Sequence, residues 1–219
     1  MLGHRSSDVL VDVCTQRDFL ATDGANPCCN ASDVRGNVKR LMALARWAHL
    51  PAISCVDARR ACEARGLPRP DCVVGTLGQR KLSATLLPSR VHVDCDNFLC
   101  VPLDLLEHYQ QVILVKHHRD PFTNPKLDRL LTEIPAKRFV VFGAGLETSI
   151  RLLVLGLLLR GRRVALVSDA CGWWSPDEGD MTFRQLSAKS CELLTTAQLI
   201  DETLATQRRV AVRLRRSVA

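Results

Sequence analysis

The sequence predicts an α/β protein with a central parallel sheet flanked by helices, and three observations carry that expectation. The stretch from Arg138 to Cys171, RFVVFGAGLETSIRLLVLGLLLRGRRVALVSDAC, reads as strand, turn, helix and strand in succession. A crossover of that length joins parallel strands, since antiparallel neighbours need only a tight turn. Short apolar runs rich in β-branched residues recur at 9–13, 51–56 and 111–116, separated by segments of helical or loop character. Finally, 219 residues with 47% hydrophobic content suffice for one sizeable core and are short for two. One domain is expected over residues 1–206, followed by a basic tail at 207–219.

Taken in order, Val9 to Val13 reads as a first strand running into the loop DVCTQRDFL. Val34, Val38, Leu41, Met42 and Ala45 repeat near the helical period, so 33–49 is the first crossover helix, with Asp33 as a plausible cap. Pro51 to Val56 is the second strand, followed by Asp57, Ala58 and Arg59. Residues 79–88 suggest a loop with a short helix, 90–94 an extended segment, and 103–109 a small helix. QVILVK is a strand closing on Lys116, and HHRDPFTNPKLDRLL continues into a loop and helix. His117 and His118 are adjacent and should diverge as loop residues.

The central stretch can be read in more detail. Arg138 to Phe142 is a buried strand, and Gly143, Ala144 and Gly145 supply a tight turn. Thr148 or Ser149 starts a helix that is apolar on nearly every face from Ile150 to Leu159, which predicts burial all round. Gly161 ends it, and Val164 to Val167 is the next strand. Trp173 and Trp174 are core residues first, with a pocket wall or dimer seam as alternatives. A helix over 177–190, a strand over 192–195 and a helix through TTAQLIDETL, capped by Thr195 or Thr196, complete the domain.

GAGLETSI followed by an apolar helix and VALVSDACG resembles the signature of the isochorismatase-like cysteine hydrolases, which include nicotinamidases and carbamoyl amidases. Gln16, Asp18 and Phe19 match that superfamily's opening motif, and Lys116 matches its catalytic lysine. The resemblance runs from about Val9 to Leu204. It implies a three-layer, Rossmann-like sheet with a site at the strands' carboxyl ends, where Cys14, Asp57, Lys116 and Ser149 fall. Two positions depart from the pattern: Cys14 stands where the catalytic aspartate belongs, and Ser149 where the nucleophilic cysteine belongs. Asp12 lies on the same side of the strand as Cys14 but about 6–7 Å further back. By the same resemblance Ala144, Gly145 and Ser149 belong to the oxyanion-hole turn, with a cis bond between Ala144 and Gly145, and Phe19 and Asp57 line the pocket. Nicotinamidase-like metal ligands would fall near Asp57, Arg59 and Asp71, but an arginine at a histidine position favours a salt bridge with Asp57 and no metal. No cofactor is expected.

These substitutions remove both the base and the soft nucleophile. A serine hydroxyl is essentially un-ionised at neutral pH and depends on a positioned base more than cysteine does. The reading is therefore a catalytically degenerate hydrolase that binds a small molecule of amide or ester type, or a protein partner. Its alternative is an active hydrolase with a Ser149 and Lys116 dyad, in which Lys116, lacking a carboxylate neighbour, becomes neutral. A third version uses Cys14 as a thiolate beside Lys116.

Composition narrows the partners. The longest apolar run, Leu152 to Leu159, is too short to span a bilayer and the N-terminus shows no signal-peptide pattern, so no membrane partner and a cytoplasmic location are expected. Ten cysteines scattered without a CxxC pair favour reduced, buried thiols. Five arginines among the last twelve residues account for much of the net charge of +7, so basicity reads as a tail property. With no nucleic-acid motif or aromatic interleaving, nucleic acid is disfavoured as a partner. The superfamily's habit implies a homo-oligomer.

Overall fold

The structure, a computed structural model, describes residues 8–95 and 100–218. β1 (Asp8–Val13) leads through a one-turn helix α1 (Arg17–Leu20) into the long α2 (Ala31–Ala48), and β2 (Ala52–Asp57) follows. After α3 (Ala61–Ala64) come β3 (Arg90–Val93), α4 (Leu105–His108), β4 (Gln111–Lys116) and α5 (Pro125–Glu133). β5 (Arg138–Ala144), a π-turn at Leu146–Ile150, α6 (Arg151–Leu159) and β6 (Val164–Gly172) form the central crossover. α7 (Pro176–Ala188), β7 (Glu192–Leu194) and α8 (Thr196–Val218) end the chain. The boundary expected at residue 206 thus falls inside a continuous helix.

The seven strands form one parallel sheet in the order β3-β4-β2-β1-β5-β6-β7. From β1 the chain first builds outward through β2, then returns to the other side of β1 with β5, β6 and β7. Right-handed crossovers place the helices of the two halves on opposite faces, which gives three layers. α2 packs on β5, β6 and α8, while α6 packs on β6 and α7. The reversal of direction opens a crevice beyond the carboxyl ends of β1, β2, β4 and β5, where doubly wound sheets take ligands.

Several boundaries differ from expectation for local reasons. Asp33 lies in the first turn of α2 rather than capping it, because the helix begins at Ala31 with Asn30 before it. The segment at 90–94 is an edge strand of the sheet. β6 runs beyond Val167 to Gly172, with its register to β5 shifting between Val141 and Gly143. α6 is buried along Leu153, Val154 and Leu157, but Leu159 is 87% exposed, so the all-apolar helix turns one face outward. All ten cysteines are free thiols; six are buried and three, Cys29, Cys62 and Cys100, are exposed. Among the described residues no helix is long and apolar enough to cross a membrane.

Candidate active site

Four strand ends build the site. β1 ends at Val13, and Cys14 takes a left-handed backbone conformation (φ 50°) that turns the chain out of the sheet. β2 ends at Asp57 and β4 at Lys116, and these two are direct register partners. Beyond β5, Gly143 (φ 132°) and Gly145 (φ 84°) adopt backbone conformations open mainly to glycine. A Cβ on Gly143 would overlap the carbonyl oxygen of Val13, its register partner. These two glycines turn the chain through trans peptide bonds, and among the described residues there is no cis bond, including at Ala144–Gly145 where one was expected. Ser149 sits within the π-turn that follows, upstream of α6 rather than at its cap.

The crevice is a cavity of about 530 Å³ that gathers Cys14, Phe19, Asp57, Lys116, Ala144, Gly145 and Ser149, the positions expected from sequence. Lys116 is fully buried. Its ammonium donates to the carboxylate of Asp57, to Ser149 Oγ at 3.0 Å and to the His118 carbonyl at 3.2 Å. An ammonium has three N–H donors, and all three are engaged. Burial alone would pull the Lys116 pKa down; neighbouring Cys14, Asp57 and Cys55 outweigh it and hold it above the ordinary lysine value. Of these, Cys14 is itself held well up as a thiol by its hydrogen bond with Cys55, by burial and by Asp57, which leaves the Asp57 carboxylate as the ion-pair partner of Lys116. The carboxylate that Lys116 was expected to lack is therefore supplied from β2. A Cys14 thiolate is opposed by the same contacts.

Other expectations are corrected by geometry. Asp57 pairs with Lys116, and Arg59 instead reaches Asp71 at 2.7 Å. Asp71 also accepts from Asn26 at 3.1 Å. With its acidic candidates committed to cations and a guanidinium among them, this set does not suit the metal whose ligand positions the resemblance placed here. Among the described residues no group of three His, Cys, Asp or Glu side chains could hold a metal ion. Asp12 is fully buried elsewhere, bonded to Lys81 at 2.5 Å and to Ser54 at 3.1 Å, and does not line the cavity. Gly145 donates its N–H to Gly172 at 3.0 Å, so this amide is unavailable to an oxyanion.

Trp174 takes the pocket-wall alternative, whereas Glu147 and Arg119 were not singled out in the sequence. Trp174 walls the cavity, edge-on to Phe19 with ring centroids 5.5 Å apart, while Trp173 packs on Gly179. Glu147 is buried and accepts from the backbone of Trp174 at 2.7 Å and Ser175 at 3.0 Å, which fixes that wall. His117, His118 and Arg119 line the cavity from the loop after β4. Gln16, already singled out, clasps β2 through the N–H and carbonyl of Asp57 at 2.7 and 2.8 Å.

A family model described as the isochorismatase domain matches residues 9–198. The chain belongs to the isochorismatase family. No curated protein matches it in sequence. Among solved structures, the pyrazinamidase of Pyrococcus horikoshii, in complex with zinc, is 20% identical with a TM-score of 0.69, covering 86% of this chain and 99% of its own. An isochorismatase-like hydrolase from Alkaliphilus metalliredigens is 16% identical with a TM-score of 0.69, over 90% and 99% of the two chains. PnC1 from L. infantum, in complex with nicotinate, is 18% identical with a TM-score of 0.67, over 88% and 94%. At such identities the likeness shows the shared isochorismatase-like α/β fold, and the site must be argued from its own residues.

Proposed function

We propose that this isochorismatase-family protein is catalytically degenerate and uses its crevice to bind a small amide- or ester-type molecule without turnover. The observation that carries this reading is the saturation of Lys116. An ammonium that donates to Asp57, Ser149 and His118 has no lone pair to take the serine proton. Among the described residues no other side chain forms a hydrogen bond with Ser149 Oγ. General-base assistance commonly contributes about 10² to 10⁴ in rate, and Ser149 lacks it. The Phe19 and Trp174 rings offer an apolar wall, and Arg119 with the two histidines a polar rim, the usual make-up of a small-molecule pocket.

The alternative, a Ser149 and Lys116 hydrolase, draws support from the 3.0 Å contact between them but requires Lys116 to lose its proton beside Asp57. Incubation with small amides, activated esters and an acyl probe, followed by intact-mass and peptide mapping, separates the two. Nicotinamide and nicotinate belong in the panel because PnC1 was solved with nicotinate. The binding reading expects a ligand-dependent rise in Tm with no product and no adduct. An acyl adduct on Ser149 that vanishes in Lys116→Ala overturns it.

A further inference from the structure

A second cavity, of about 520 Å³, lies between α2 and the segment 80–84 and is lined by Arg17, Arg35, Lys39, Arg80 and Lys81. No acidic side chain lines it among the described residues. Two of the five cations are neutralised from outside: Arg17 by Asp23 at 2.9 Å and Lys81 by Asp12 at 2.5 Å. Arg35, Lys39 and Arg80 have no ion pair among the described residues, the Arg35 guanidinium reaching the Leu20 carbonyl at 3.5 Å, so three of the lining cations carry no counter-charge. Like charges held together in this way repel, and the arrangement gains when an anion enters.

Gly36 adds an independent observation. It lies inside α2, where glycine costs about 0.8–1 kcal/mol relative to alanine. Packing does not require it, since a Cβ at this position would meet nothing within 4 Å. Its effect is to leave the helix surface open where α2 lines the cleft between Arg35 and Lys39. Exposed Ser32 and Ser83 add hydroxyl donors at the rim. Among the described residues the lining holds no aromatic ring on which a base could stack, so recognition rests on charge and hydrogen bonding.

We infer that this cleft binds a small anion carrying two or more phosphoryl groups, at a site separate from the crevice around Lys116. Such groups match fork-shaped guanidinium donors on Arg35 and Arg80 and the point charge of Lys39. The two cavities share no lining residue.

Calorimetric titration of the full chain with inorganic tripolyphosphate tests the inference, in parallel with a nucleoside triphosphate and a short single-stranded oligonucleotide. Saturable binding of tripolyphosphate is expected, weakening as salt is raised from about 50 to 200 mM. Arg35→Glu, Lys39→Glu and Arg80→Glu each weaken it at least about tenfold. Gly36→Trp, which fills the cleft without changing its charge, weakens it too. Equal affinity for the nucleoside triphosphate assigns recognition to the phosphate chain; tighter binding adds a nucleoside contact to the same site. No binding to the unaltered chain overturns the inference, as does undiminished binding in the Gly36 and charge-reversed variants. Oligonucleotide binding with tripolyphosphate inert overturns it as well.

Discussion

Asp57 and Lys116 face each other in register across β2 and β4, and their ion pair fixes the charge of the site. An unpaired lysine at this depth would shed its proton, whereas here the folded chain holds it more tightly than the unfolded chain does.

The pair gives a signed pH prediction. Because the Lys116 pKa is raised on folding, its contribution to stability is complete below the unfolded value of about 10.4 and is lost only as pH climbs through the higher folded value. Between pH 6 and 9 the pair should therefore leave stability flat. In Asp57→Asn the counter-charge is gone and burial draws the lysine pKa below its unfolded value. Stability at pH 7 then falls by about 3–5 kcal/mol and recovers as pH rises. Urea unfolding across that range checks both; a flat profile in Asp57→Asn would show that Asp57 is not what holds the proton.

Ser149→Cys should place a reactive thiol against the Lys116 ammonium, where positive charge favours the thiolate. Iodoacetamide should label position 149 ahead of Cys14, whose own contacts keep it protonated. Adding Cys14→Asp returns a carboxylate to the end of β1 and should raise hydrolysis of a small amide by about 10² or more over Ser149→Cys alone. Peptide mapping and initial rates read these outcomes. Labelling of Cys14 in preference to position 149 would contradict the assignment.

Gly143 and Gly161 both have positive φ but differ in what surrounds them. Ala at Gly161 meets open space and should cost only the backbone penalty of about 1–2 kcal/mol. Ala at Gly143 also meets the Val13 carbonyl, so β1 and β5 must separate at the site, and the loss should exceed that of Gly161→Ala by about 2 kcal/mol. Thermal or denaturant unfolding of the two variants compares them directly; equal losses would show that β1 and β5 yield at no cost.

What was legible in the sequence follows the range of each signal. Strand runs such as QVILVK and the glycines of GAGLETSI express local backbone preferences, so the order of elements and the carboxyl-edge location of Cys14, Asp57, Lys116 and Ser149 could be read in advance. Partnerships across strands could not. Asp57 has Arg59 two residues away, yet it pairs with Lys116, 59 residues on, because sheet register rather than chain proximity sets distance. Trp174 gave no periodic sign of being a cavity wall, since its position depends on the buried Glu147 carboxylate. The basic cleft stayed hidden because Arg17, Arg35, Lys39 and Arg80 are dispersed in sequence, while the conspicuous arginine cluster lies in α8.

Asp18 provides the last prediction, since it joins three segments that no local pattern connects. Its buried carboxylate accepts from Ala25 N at 2.9 Å and from Cys72 N at 2.6 Å, and its own N–H donates to Gly78 at 3.0 Å. Cys72 and Asp71 line the crevice, so Asp18 holds one of its walls from behind. Asp18→Ala strands two backbone donors, one of them buried, and should cost about 2–4 kcal/mol. It should also release the Arg59 and Asp71 segment and raise amide exchange around residues 71–78. Asn keeps one acceptor oxygen and should recover part of both effects. Hydrogen exchange on the two variants measures this, and unchanged protection at 71–78 in Asp18→Ala would show that the wall stands without the carboxylate.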